Sequence, residues 1–456
     1  MDEYDVVIVG AGSGNMIPFD LGGRRIAIVE RDRFGGTCLN RGCIPSKMLV
    51  YVADVAETIR TAGGYGVNAQ LLGTDWPAVR DRIFARTDQV SDDGRQWRER
   101  NGVDVYTGVA RFVAPKVLEV DGQELRAERM IVAAGSRPTI PEIPGLRDIP
   151  FHTTDTIMRI DALPASMIVI GGGYVAAEMC HILGAFGTQV TIVERESKLL
   201  GALDDEIALR FTEGYSERFD VRLSARVTKV EATAHGYAVH VDGGPRPGVV
   251  EAETILVATG RTPNSDVLDV EAGGIATDEN GLVVTDDECA TNLPGVWAIG
   301  DITNRIQLKH LANAQMRIAV HNAFHPESPR RSHFAVLPSA VFADPQVASV
   351  GSTERALREQ GRAFDVARRN YSDTAFGWAA RDTTGFVKLI ADPATRLLLG
   401  AHIIGPDAST LIQPLVQAMS LGNTLDQLAR EVLYIHPAAT EVVAQALLEF
   451  PHPTAA

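Results

Sequence analysis

Two cysteines stand five positions apart in the segment GGTCLNRGCIPSK, residues 35 to 47. A thiol pair in one short segment can hold two electrons as a dithiol and release them by forming a disulfide. On a regular helix, residues at that spacing have Cα atoms about 8.6 Å apart, beyond the ~7 Å that a disulfide tolerates. A bridge between Cys38 and Cys43 therefore requires a distorted first turn. Gly42 and Pro45 supply it, one through its freedom in φ and ψ, the other by lacking a backbone donor. Two unrelated buried thiols are the alternative this segment leaves open. Cys180 and Cys289 stand alone and read as small buried apolar residues.

Thiol exchange needs a thiolate that attacks and a leaving sulfur that gains a proton, so a group titrating near neutrality serves both halves. His436, in HPAATE, is the natural candidate. Pro437 disfavours helix at His436, and Glu441 follows five residues later. A carboxylate on one imidazole nitrogen fixes the tautomer at the other. A plain surface or capping histidine is the competing reading.

The elements that must position these groups show as an internal repeat. DVVIVGAGSGN (5 to 15) with RRIAIVERD (24 to 32) is matched by SMIVIGGGYVAAE (166 to 178) with TQVTIVERE (188 to 196). Each copy is an apolar strand, a glycine turn, a connection, and a second strand ending in Glu-Arg, which is the pattern of a βαβ nucleotide fold. Small residues let the backbone approach a pyrophosphate, a helix N-terminus offers free N–H groups, and an acid about 20 residues on meets a ribose. Gly10, Gly12 and Glu30 fill these positions in the first copy, and Gly171, Gly173 and Glu194 in the second. In the first copy Asn15 replaces the third small residue, and Pro18 and Gly22-Gly23 interrupt the expected helix, which should be short or irregular. Three more strands run into glycine: MIVAAGSRP (130 to 138), TILVATGRTPN (254 to 264) and GVWAIGDIT (295 to 303). The last puts Asp301 at the carboxyl end of a parallel strand, where α/β sheets bind ligands.

With 456 residues the chain has room for about three domains. Pro-rich connections at 140 to 150 and 325 to 333 suggest boundaries between 149 and 150 and between 330 and 331. The last part alternates strands such as 387–392 with an apolar helix expected over 409–422, and carries no phosphate loop. A net charge of −15 opposes nucleic acid and anionic lipid surfaces, so neither is expected as a partner. The apolar stretch at 167–187 holds Glu178, His181 and several glycines, which argues against a membrane span. The opening MDEYDVVIVGAG lacks a basic, apolar leader. A cytoplasmic protein is expected, and a disulfide there is more often catalytic than structural.

Taken in order along nearly the whole chain, these motifs resemble the flavoprotein disulfide reductases, the family of glutathione reductase, dihydrolipoyl dehydrogenase and mercuric reductase. GSGN (12 to 15), QLKHLAN (307 to 313), FGWAARDTTGFVKLI (376 to 390) and ASTLIQPLVQAMSLG (408 to 422) look most like the mycothione reductase branch. The resemblance implies an α/β fold with two Rossmann-like nucleotide-binding domains, for FAD (1–149, completed by 266–330) and NAD(P) (150–265), and a C-terminal α+β dimerisation domain (331–456). It implies that Gly10, Gly12, Gly14, Glu30, Gly36, Thr37, Lys47, Gly135 and Asp301 line the FAD site. Gly171, Gly173, Tyr174, Glu194, Arg195 and Gly260 would meet NADPH or NADH, with Tyr174 as a mobile ring over the nicotinamide pocket. Cys43 would lie against the flavin as the charge-transfer thiolate and Cys38 would attack the substrate disulfide. Lys47 and Glu178 would pair beside the flavin. His436, oriented by Glu441, would reach the cysteines of the other subunit of a homodimer.

The choice of nicotinamide stays open at this level. Glu194 accepts the ribose hydroxyls of NADH and repels a 2′-phosphate. Arg195 resembles a phosphate contact of NADPH-dependent relatives, but the second arginine usual in those enzymes is Gly201 here. The small-molecule disulfide is expected to be mycothione. Dihydrolipoyl dehydrogenase is the alternative, and a flavin-dependent redox-sensing binding protein is the alternative from another class.

Overall fold

The computed structural model describes residues 1–17, 23–332 and 334–451. In the strand Asp2–Val9, residues 6–9 are an apolar run, all buried, as the inner part of a parallel strand covered on both faces should be. It lies at the centre of a seven-stranded sheet. Val103–Thr107, Ile26–Glu30, Asp2–Val9 and Gln123–Val132 follow one another in parallel. Gln123–Val132 is long enough to serve twice. Its first residues pair antiparallel with Val117–Val120, and its last three pair parallel with Val296–Ala298. Val6 and Ile8 point into one core, with Ile26, Met316 and Phe324. Val7 and Val9 point into the other, with Phe112, Val132 and Val296.

The second nucleotide fold has a parallel sheet in the order Asp220–Arg222, Gln189–Val193, Ser166–Ile170 and Thr254–Val257. Its glycine turn repeats the first in three respects. Gly10 donates to Val29 O at 2.8 Å and Gly171 to Val193 O at 2.9 Å. Both adopt positive φ, +99° and +113°. A Cβ on Gly10 would come within 2.3 Å of Ala133 O, and one on Gly171 within 2.4 Å of Ala258 O. Only glycine permits both the conformation and the approach.

Six helices matter to the site: α1 (Gly36–Arg41), α2 (Cys43–Thr61), α3 (Trp76–Arg100), α4 (Tyr174–Ala185), α5 (Asp205–Arg218) and α6 (Lys309–Phe324). The remaining third is a five-stranded antiparallel sheet running from Ser339–Val341 to Asp365–Asn370 across Leu398–Ile404, covered by short helices. The single helix expected over 409–422 is in fact two, Ala408–Leu411 and Gln413–Leu421. Pro414 lacks the N–H that would bond back one turn, so the first helix cannot run through it. The described part of the first connection is one tight turn, Ser13–Asn15, in keeping with a short or irregular helix, while Pro18 and Gly22 lie outside the described residues. Cys180 and Cys289 are buried apolar residues, as expected. No helix among the described residues is long and apolar enough to cross a membrane.

Gly171→Ala should lower the urea midpoint of unfolding, by a stability loss of about 2 kcal/mol or more. An unchanged midpoint would contradict the close approach to Ala258.

Candidate functional site

The redox segment sits on a helix that stops and starts again. After α1, Gly42 leaves helical geometry at φ −143° and ψ −122°, and α2 begins at Cys43. A side chain at Gly42 would bring Cβ to 2.9 Å from Thr37 O, so the turn can be this tight only with glycine. Pro45 falls in the first turn of α2, where its missing donor costs nothing. Asn40 ties the loop from beneath, donating to Phe34 O and Gly36 O, both at 3.0 Å.

The break brings Cys38 and Cys43 within hydrogen-bonding reach as two thiols rather than a disulfide. The hydrogen bond from Cys38 lowers the Cys43 thiol to about 7, against the opposing effect of burial and with help from the Lys47 and Lys309 ammonium groups. The same hydrogen bond, then burial, pushes Cys38 well up. Cys43 is also the first residue of a 19-residue helix, where free N–H groups favour an anion. The pair thus divides into a thiolate at Cys43 and a protonated thiol at Cys38.

One turn along α2, Lys47 Nζ lies 2.6 and 2.5 Å from the two carboxylate oxygens of Glu178 on α4. Glu178 is nearly buried, and it also accepts from Phe342 N at 3.2 Å. The ammonium lies 4.6 Å from the centre of the Phe342 ring. This pair bridges the two nucleotide folds.

Both cysteines, Lys47 and Glu178 open into a cavity of about 760 Å³ that runs back to Gly10, Gly12, Glu30, Gly36, Thr37, Gly135 and Asp301. Gly12 and Gly36 meet so closely that a Cβ on Gly36 would lie 2.7 Å from Gly12 Cα. Gly14 is the exception among the expected FAD residues. It packs against Ile8 and Ala133 and does not border the cavity, so its smallness serves packing. Glu30 accepts from Ala11 N at 2.8 Å and Asp32 N at 3.1 Å, and burial pushes its carboxyl up while the Ala11 N–H opposes. Asp301 accepts from Ser136 Oγ at 2.8 Å, and Arg261 Nε donates to that hydroxyl at 2.8 Å. An elongated cavity with a glycine cradle and a carboxylate at each of two stations suits a dinucleotide such as FAD.

Tyr174, half exposed at the start of α4, faces this cavity and also a hollow of about 70 Å³ shared with Gly173, Val257 and Gly260. Glu194 follows the strand Gln189–Val193, and its Oε1 accepts from Glu196 N at 2.8 Å. Arg195 projects into solvent beside Glu196, 3.3 Å away.

His436 Nδ1 lies 2.6 Å from Glu441 Oε1, and Glu441 opens the helix Glu441–Leu448. Their pairing agrees with the tautomer argument, yet His436 is 74% exposed and does not border the cavity of its own chain. Leu433 and Ile435 beside it are 96% and 75% exposed. An exposed apolar run around a carboxylate-bound imidazole is what a subunit interface requires.

Sequence reasoning missed Lys309, Ser13, Asn313, Ser136 and Arg261. Lys309, the first residue of α6, donates to Ser13 Oγ at 3.1 Å, and Ser13 donates to Asn313 at 2.9 Å. QLKHLAN stood out only as a subfamily stretch, and nothing local marks its lysine as turned toward two cysteines about 270 residues earlier in the chain.

Residues 4–316 match the family described as pyridine nucleotide-disulphide oxidoreductase, and residues 337–447 match its dimerisation domain. The chain is 42% identical to mycothione reductase of Mycobacterium tuberculosis, over 98% of this chain and 99% of that one. It is 31% identical to dihydrolipoyl dehydrogenase of Vibrio cholerae, over 97% and 95% of the two chains. Among solved structures it superposes on a HOCl-induced flavoprotein disulfide reductase of Escherichia coli with a TM-score of 0.87 at 27% identity, over 98% and 100% of the chains.

The Cys43 thiolate should form as the pH of the reduced protein rises through about 7 and be lost below it. Lys309→Met removes a cation that favours the thiolate, so the midpoint of thiolate absorbance should rise. A midpoint that stays in place would exclude Lys309 from the thiolate's surroundings.

Proposed function

Because the chain belongs to the pyridine nucleotide-disulphide oxidoreductase family, and is thus an NAD(P)H-dependent flavoprotein disulfide oxidoreductase, we propose that its substrate is mycothione, reduced to two molecules of mycothiol. The thiol and thiolate paired at the start of α2 carry the chemical part of this reading. The likeness to mycothione reductase carries the choice of substrate.

FAD, when bound, supplies the passage of two electrons from the reduced nicotinamide to sulfur. The protein's own groups do the rest. Glu30 and Asp301 accept hydroxyls of the cofactor, and the glycine turn at Gly10 and Gly12 admits its phosphates. Lys47, fixed by Glu178, holds positive charge beside the cavity, and Tyr174 covers the nicotinamide side. Cys38 gives its proton to His436 of the partner subunit and attacks the substrate disulfide. One thiol departs with the proton that His436 returns, leaving a mixed disulfide. Cys43 thiolate then attacks Cys38 Sγ, closes the Cys38–Cys43 bond, and releases the second product as a thiolate that takes its proton from water. Glu441 holds His436 in the tautomer that this exchange needs.

In this reading a flavin domain (1–149, completed by 266–330), a nicotinamide domain (150–265) and an interface domain (331–456) form a homodimer with shared active sites. The exposed imidazole and the apolar run beside it support that arrangement.

With FAD-loaded enzyme, kcat/KM for mycothione should exceed that for glutathione disulfide and lipoamide by about a hundredfold. Preference for lipoamide would mark a dihydrolipoyl dehydrogenase instead. Cys38→Ser should abolish disulfide reduction while flavin reduction by nicotinamide persists, and full turnover by that variant would refute the assignment. His436→Gln should cost about 10²–10⁴ in turnover, whereas a redox-sensing binding protein would lose nothing.

A further inference from the structure

Two stretches that mark a branch of the family in the sequence, GSGN (12–15) and QLKHLAN (307–313), meet in the structure. Lys309 Nζ donates to Ser13 Oγ at 3.1 Å, and Ser13 Oγ donates to Asn313 Oδ1 at 2.9 Å. Lys309 opens α6 and Asn313 lies one turn along it, so the two share a face of that helix. Ser13 is buried and directly follows Gly12 in the first glycine turn. Lys309 and Ser13 both line the FAD cavity.

The two nucleotide folds differ at this place. In the second, the glycine turn leads into α4, which runs for 12 residues. The aligned peptide dipoles of such a helix put about half an elementary charge at its N-terminus. In the first, the turn leads only into Ser13–Asn15, three residues long, and Met16 leaves helical geometry at φ −87° and ψ 66°. So short a turn aligns too few dipoles to offer the same charge. A dinucleotide still brings a negative charge on each phosphate to a turn of this kind, and a positive group must answer it.

Among the cations that line the cavity, Arg33 pairs with Asp88, Arg41 with Asp32 and Lys47 with Glu178. Arg261 donates to Ser136 beside Asp301, and Arg31 follows Glu30 at the ribose station. Lys309 has no carboxylate partner among the described residues, and it reaches the glycine turn. An ammonium placed in this way is a point charge ready for a phosphate.

We propose that Lys309 is the cation for the diphosphate of FAD, held toward the glycine turn by Ser13 and Asn313, and that it replaces the charge that a long helix supplies in the second fold. The positive charge comes from a side chain 296 residues further along the chain than Ser13. This rests on Gly10, Gly12 and Ser13 forming the diphosphate turn of the FAD site, and it is independent of which disulfide is reduced. The influence of Lys309 on the Cys43 thiolate is a separate effect of the same charge.

Phosphorus nuclear magnetic resonance of the FAD-loaded enzyme reads the diphosphate directly, and the rate at which FAD is released reads how firmly it is held. Lys309→Met should displace at least one phosphorus signal of bound FAD and speed its release about tenfold or more, because a charge-assisted contact is lost. Release should also become less sensitive to added salt than in the native enzyme. Lys309→Arg, which keeps the charge, should hold FAD at close to the native rate. Unmoved phosphorus signals in Lys309→Met overturn the proposal whatever the release rate, and so does release at the native rate. Should Lys309→Met emerge without flavin, a native circular dichroism spectrum together with flavin retained by Lys309→Arg supports the proposal, and a colourless Lys309→Arg overturns it. Native protein unable to take up FAD would overturn the flavin site itself, whereas a result against mycothione as substrate touches none of these outcomes.

Discussion

The hydrogen bond between Cys38 and Cys43 exists because a helix is interrupted at Gly42. Carried through that residue, α1 and α2 would form one helix, and the sulfurs would stand too far apart to exchange a bond. The interruption also makes Cys43 the first residue of α2 and so places it where helix N–H groups favour charge. One backbone feature thus brings the sulfurs together and makes them unequal. Inequality is what the chemistry uses, because one sulfur must hold charge while the other keeps a proton for transfer.

Around this pair the two nucleotide folds repeat a single physical solution. Gly10 and Gly171 take the same hydrogen bond, the same sign of φ and the same close approach to a neighbouring strand. Glu30 and Glu194 stand at matching places. The copies then diverge where their tasks do. The first opens into a long cavity running to the cysteines, and the second into a small hollow beneath Tyr174. Lys47 and Glu178 join the copies across α2 and α4. The nearly buried carboxylate tolerates its position because the lysine neutralises it, and removing one partner of such a pair typically costs about 3 kcal/mol or more.

Much of this was legible before any coordinates. Strands, glycine turns and the acids at strand ends follow from local pattern, since each needs only its own residue type at a fixed offset. The distorted turn was legible because the cysteine spacing is incompatible with a regular helix. Pro414 was a visible signal of the split near residue 412, overridden by the apolar periodicity around it. Lys309, Ser136 and Arg261 were not legible, because their roles come from contacts between segments far apart in the chain. Arg195 shows the same limit: its type suggests a phosphate contact, while its direction, into solvent beside Glu196, belongs to the tertiary structure. His436 could be paired with Glu441 from spacing, but its distance from the cavity of its own chain belongs to the tertiary structure.

The central claim is that Cys38 and Cys43 alternate between bonded and free forms while Cys180 and Cys289 take no part. Counting thiols after denaturation, before and after anaerobic addition of one equivalent of reduced nicotinamide per flavin, tests it most directly. Of the four cysteines in the chain, two should titrate in the oxidised enzyme and all four after reduction. A count that does not change on reduction would contradict the account.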